Sequence, residues 1–102
     1  MTETRPSIRL DKWLWFARFA KSRAVAAELV SGGAIRMNSV RVTKPATPVR
    51  VGDGLSFAQG RTVRAIRVLG LGTRRGPAPE ARLLYADLDV PTPLEPDGQP
   101  DK

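Results

Sequence analysis

Arg9-Leu-Asp-Lys-Trp-Leu-Trp-Phe-Ala-Arg-Phe-Ala-Lys-Ser-Arg23 sets five cations, Arg9, Lys12, Arg18, Lys21 and Arg23, among Trp13, Trp15, Phe16 and Phe19, with Asp11 as the one acid. At about 100° per residue, Leu10, Trp13, Leu14 and Ala17 recur at i, i+3, i+4 and i+7, the spacing that buries one face of a helix. That face is the expected core. Lys12, Trp15 and Phe19 lie roughly 140° to 200° round from Leu10. Two uses remain open for Trp15 and Phe19, a second packing surface and base stacking. For the cations the alternatives are a solvated face and a polyanion site, and five against one departs from the mixed signs of a neutral surface.

Outward from this stretch, residues 1–7 are polar with Pro6 and read as a flexible lead-in, in which Ser7 can cap the helix that follows. The first helix is expected to run to about Phe19. A second starts with Ser22 as N-cap, places Val25, Ala26 and Leu29 on one face with Val30 on its flank, and stops at Gly32-Gly33. Its start falls inside Lys21-Ser22-Arg23, where backbone N–H groups, the positive end of the helix dipole and two cations coincide. This is either a phosphate site or an ordinary capped helix with solvated charges.

The period then changes. Ala34 to Met37 and Val40 to Thr43 alternate apolar and polar residues around Asn38-Ser39, which predicts a two-residue hairpin with Arg36 and Arg41 on either side of the turn. Lys44 leads into a loop marked by Pro45 and Pro48, and short strands are expected at Val49 to Val51 and Leu55 to Phe57 around the Gly52-Asp53-Gly54 turn. Gln59-Gly60 reads as a further turn, Thr62 to Leu71 as a strand, and Arg82 to Leu88 as the last strand after a Gly/Pro loop carrying Arg74 and Arg75. Residues 89–102, with four prolines and four acids, have nothing to build a core with and are expected to form a disordered acidic tail. The sum is one α+β domain over residues 8–88, two N-terminal helices packed on a small, mostly antiparallel sheet.

The 102 residues include no cysteine and no histidine, so disulfides, thiolate chemistry, imidazole bases and the usual zinc ligands are excluded, and no metal or cofactor is expected. No apolar run approaches a membrane span and no signal-peptide core is present, so the chain is read as cytoplasmic. The formal charge is +7, unevenly spread: residues 5–75 hold fifteen lysines and arginines against Asp11, Glu28 and Asp53, a net +12. Such a body attracts polyanions, because neutralising phosphates releases condensed counterions. Nucleic acid is the leading partner. An anionic membrane is disfavoured, since the apolar helix face is needed for the core.

Arg9-Leu-Asp-Lys-Trp-Leu, Lys21-Ser-Arg23, Gly33, Ile35-Arg-Met-Asn38, Arg41, Lys44-Pro45 and Val51-Gly-Asp53, in this order and spacing, resemble the RNA-binding domain named after ribosomal protein S-four. Leu-Asp-Lys-Trp-Leu-Trp, Ala-Arg-Phe and Lys-Ser-Arg look most like its heat-shock-protein-fifteen group, over roughly residues 8–88. The resemblance implies an αL-type RNA-binding fold and RNA contacts by Arg9, Lys12, Arg18, Lys21, Ser22, Arg23, Arg36, Arg41 and Lys44. It implies a non-catalytic role on ribosomal RNA of the large subunit, on tRNA or on both, in rescue of stalled ribosomes and the heat-shock response. Two positions depart from the group: Ser39 stands where glycine is usual, and an acidic, proline-rich end replaces a basic helical extension.

The alternatives from other classes are an RNA-modifying enzyme, a protein adaptor using strand edges or the tail, and a general DNA-binding protein. The enzyme is disfavoured because Asp11 reads as a helix-start or ion-pair charge and Asp53 as a turn residue. DNA uses the same electrostatics as RNA. A monomer is expected.

Overall fold

The computed structural model describes residues 5–59 and 61–88. Residues 1–4 of the expected lead-in, the expected tail over 89–102 and the Gly60 half of the Gln59-Gly60 turn lie outside the described residues. Strand β1 (Ile8–Arg9) runs directly into helix α1 (Leu10–Phe16), and α2 (Arg23–Ser31) follows. Then come β2 (Ile35–Met37), β3 (Val40–Val42), β4 (Pro48–Val49), β5 (Gly54–Gln59) and β6 (Thr62–Val68). The chain closes with a short helix α3 (Ala78–Ala81), one 3-10 turn over Arg82–Leu84, and β7 (Tyr85–Asp87). The sheet is antiparallel, ordered β3-β2-β5-β6-β7, and a two-stranded β1-β4 pair sits beside it. This is the expected α+β fold.

The core forms where the helical and strand periods meet. Leu10, Trp13, Leu14 and Ala17 are all buried, joined by Ala26 and Val30 of α2 and by Ile35, Val49, Leu55, Ile66 and Val68 of the strands. Trp13 has no exposed surface, and its indole Nε1 donates to the Gly70 carbonyl at 2.8 Å, so its one polar atom is satisfied. Leu29 departs from expectation. It is 37% exposed because Ala26 and Val30, spaced i and i+4, are the pair that α2 turns inward.

Helix α1 ends at Phe16, three residues before the expected Phe19. Arg18 takes φ +67°, its N–H donates to the Trp15 carbonyl, and the Phe19 N–H reaches back to the Leu14 carbonyl at 2.9 Å. That is the left-handed helix ending normally given to glycine, so sequence spacing alone could not reveal it. Helix α2 ends the same way with Gly33, at φ +78°. At its start the Ser22 hydroxyl accepts the Val25 N–H at 3.1 Å, as the N-cap reading required.

The hairpin turns at Asn38-Ser39 as expected, with both residues at positive φ (51° and 75°), so Ser39 adopts the conformation that glycine would take freely. Two strands differ from expectation. Ile8 pairs with Val49 and Arg9 with Pro48, so the second strand of that region is Pro48–Val49 and Val51 falls in a turn. Proline is tolerated there because β4 is an edge strand, paired on one side only. Arg82 to Leu88 is not one strand: Pro77 and Pro79 open α3, where a missing N–H costs nothing, and only Tyr85–Asp87 pairs with β6.

Candidate nucleic-acid interface

Asp11 organises the helix starts. It is 3% exposed, and its carboxylate accepts two hydrogen bonds from Arg9, Nε at 3.0 Å and Nη2 at 3.1 Å, while Arg23 Nε stands 3.8 Å away. Burial alone raises the Asp11 carboxyl. The Arg9 hydrogen bonds, the Arg9 and Arg23 charges and the Lys12 backbone N–H outweigh it, and the group is held below the ordinary aspartate range. Hydrogen bonding to Asp11 in turn raises Arg9. Both guanidinium side chains keep about half their surface in water, 50% and 45%.

The Lys44 turn docks on the same place. Thr47 donates its N–H and its hydroxyl to the Lys44 carbonyl, and the Pro45 and Thr47 carbonyls accept the Asp11 and Leu10 N–H groups. The segments that carry Arg9, Lys21, Ser22, Arg23 and Lys44 therefore converge where β1, α1, the start of α2 and this turn meet, with Arg9 and Arg23 sharing Asp11. Lys21, Arg23 and Lys44 are exposed, and Ser22 is half-buried with its hydroxyl used as the cap. Lys12 is half-buried, its ammonium 5.6 Å from the centre of the Phe16 ring.

Arg36 and Arg41 are brought together elsewhere. They are directly opposed across β2 and β3, on the sheet face away from buried Ile35. Like charges in that position repel. Arg41 relieves this by lying against the end of α2, where a Cβ on Gly33 would stand 3.3 Å from its Cδ. Glycine at this site thus serves both the helix ending and the arginine.

Arg18 joins neither group. Its Nε donates to the Gly76 carbonyl at 2.7 Å, and its side chain lines a cleft with Arg64, Arg82, Phe19 and Tyr85, toward the β6-β7 edge. The opposite edge, β3, is four strand spacings away, roughly 19 Å. Phe19 resolves as a packing residue, its ring 4.7 Å from Tyr85, 5.1 Å from Phe57 and 6.0 Å from Trp13. Trp15 is half-buried under Arg75, whose guanidinium lies 5.9 Å from the indole centre and donates to the Trp15 carbonyl.

Arg64 and Arg82 were absent from the sequence-derived set. A signal existed for Arg64, which alternation places on the same side of β6 as buried Ile66 and Val68, an unusual position for a cation. Arg82 carries none, because the sequence pattern places it in a strand and the structure places it in the 3-10 turn. Asp53 proves structural, accepting the Arg50 N–H at 2.8 Å and an Asn38 amide N–H at 3.2 Å.

Residues 8–55 match the model of the S4 domain. Heat shock protein 15 of Escherichia coli (strain K12) is 38% identical over 111 residues, an alignment covering 93% of this chain and 83% of that protein. The chain belongs to the heat shock protein 15 family. A solved relative of that family, the trimeric heat shock protein 15 of Vibrio cholerae, superposes with a TM-score of 0.75 at 39% identity, covering 80% of this chain and 82% of the other. More distantly, the RQC P-site tRNA stabilizing factor of Streptococcus pneumoniae is 34% identical over 62 residues, 61% of this chain and 69% of that protein. The chain spans 62% to 83% of the length of the curated heat shock protein 15 relatives it matches.

Proposed function

We propose that residues 8–88 form a non-catalytic RNA-binding unit that holds structured RNA, ribosomal RNA of the large subunit or tRNA, during rescue of stalled ribosomes in the cytoplasm. The observation that carries this reading is the convergence at Asp11. One buried carboxylate draws Arg9 and Arg23 from separate elements to one point, where the backbone after Lys44 also docks and Lys21 precedes the Ser22 cap. One acid cannot neutralise four cations, so the neighbourhood stays positive, while the Arg9 guanidinium is hydrogen-bonded in place before any ligand arrives and Arg23 stands 3.8 Å from the same carboxylate. Fixed, half-exposed guanidiniums suit phosphate oxygens, which they can meet with two parallel hydrogen bonds. Structured RNA is favoured because its backbone and 2′-hydroxyls lie within reach of such side chains, whereas its deep major groove does not. The name of the streptococcal relative, a P-site tRNA stabilizing factor, supports the ribosomal setting.

The unit binds as a monomer in this reading, with no cofactor. The double variant Lys21→Ala/Arg23→Ala should weaken binding of a ribosomal RNA hairpin about tenfold or more, since each lost phosphate contact also removes counterion release. Thermal unfolding should change little, because Arg9 retains both bonds to Asp11. Unchanged RNA affinity in that variant would refute the phosphate assignment. Duplex DNA competing as well as the RNA would refute the preference for structured RNA.

A further inference from the structure

The cleft at the β6-β7 edge is lined by Arg18, Arg64 and Arg82 with Phe19 and Tyr85, and no acid is among its lining residues. Its volume is about 420 Å³, within the range of small-ligand sites, roughly 300–1,000 Å³. The three cations come from different elements: the end of α1, β6 and the turn after α3. Arg18 arrives there through a left-handed backbone conformation at φ +67°, and a 2.7 Å bond to the Gly76 carbonyl holds its guanidinium in place. Arg64 is held with its guanidinium 5.1 Å from the Phe19 ring centre and 5.4 Å from that of Tyr85, and tied at its Nε to Asp87 at 3.0 Å. Arg82 is exposed at the rim.

We propose that this cleft is a second nucleic-acid site, which takes one unpaired nucleotide. The base lies against the Arg64 guanidinium and Tyr85, and its phosphate meets Arg18 and Arg82. Guanidinium planes and aromatic rings are the surfaces on which unpaired RNA bases stack. Arg64 is bound by Asp87 through its Nε and lies close to two aromatic rings, so it serves as a platform more than as a phosphate ligand. Arg18 and Arg82 supply the charge. The proposal rests on the reading of this chain as an RNA binder, and it adds a single-stranded contact at the sheet edge opposite the hairpin.

Fluorescence anisotropy with a 5′-phosphorylated, fluorescein-labelled hexauridylate tests it on the full chain. Arg82→Ala removes an exposed side chain, and Arg18→Gly removes a guanidinium while keeping a residue that accepts positive φ, so both variants should fold. Each should weaken hexamer binding about three- to tenfold and lower the log–log salt slope by about 0.7. Arg67→Ala, an equal loss of charge outside the cleft, should stay within about twofold of the parent chain. Equal hexamer affinity in Arg82→Ala and Arg18→Gly, or an equal loss in Arg67→Ala, overturns the proposal. The ribosomal RNA hairpin reports the parent reading separately. If Lys21→Ala/Arg23→Ala binds that hairpin unchanged while Arg82→Ala has lost the hexamer, the helix-junction reading fails and the cleft stands.

Discussion

At the scale of single residues, Asp11 joins stability to the interface. Against the opposing effect of burial, its carboxyl is held below the ordinary aspartate range in the folded domain, chiefly by Arg9. Its contribution is therefore complete above about pH 4 and is lost as pH falls through the lower, folded value. Asp11→Asn should destabilise the domain by about 1–3 kcal/mol near neutrality, the usual cost of unpairing a buried charged group whose partners keep access to water. Between pH 4 and pH 2 the melting temperature of the variant should fall less steeply than that of the parent, with Glu80, held low by its hydrogen bond to Arg74, still titrating in both. Parallel melting curves across that window would show that Asp11 is not held as described. The same change should loosen Arg9 and Arg23 and weaken RNA binding without removing a cation.

At the scale of elements, the hairpin carries a strain that can be measured. Ser39 holds φ +75°, a conformation costing an L-residue roughly 1–2 kcal/mol, part of which a glycine would return to the unfolded chain as entropy. Ser39→Gly should stabilise the domain by about 0.5–1 kcal/mol and raise its melting temperature by a few degrees. A lower melting temperature would contradict the turn geometry. Asn38 should resist the same exchange, because its side chain accepts the Gly54 N–H at 2.8 Å and donates to Asp53. This hairpin, the Ser22 cap and the buried face of α1 were legible from sequence, since local spacing and turn chemistry determine them. The early end of α1 was not, because a left-handed arginine leaves no trace in a pattern of apolar residues. Nor was the β1-β4 pair, whose two-residue strands exist only through a contact forty residues apart in the chain. The short α3 was hidden behind Pro77 and Pro79, read as loop markers when they open a helix.

At the scale of the whole molecule, nine of the described cations fall into three groups, and Lys12, over the Phe16 ring, stands apart from them. Arg9, Lys21, Arg23 and Lys44 gather at the helix starts, Arg36 and Arg41 pair on the hairpin, and Arg18 lines the edge cleft with Arg64 and Arg82. Sequence indicated most of the members and their excess over acids. Their partition was out of reach, because it depends on which face each strand presents and on where α1 stops. An RNA that engages the helix starts and the hairpin would place about six cations on phosphates. Titrating a ribosomal RNA hairpin from about 50 to 300 mM salt tests that directly. The logarithm of the association constant should fall against the logarithm of salt with a slope on the order of −4 to −5. A slope near zero would mean that phosphates are not what this surface holds.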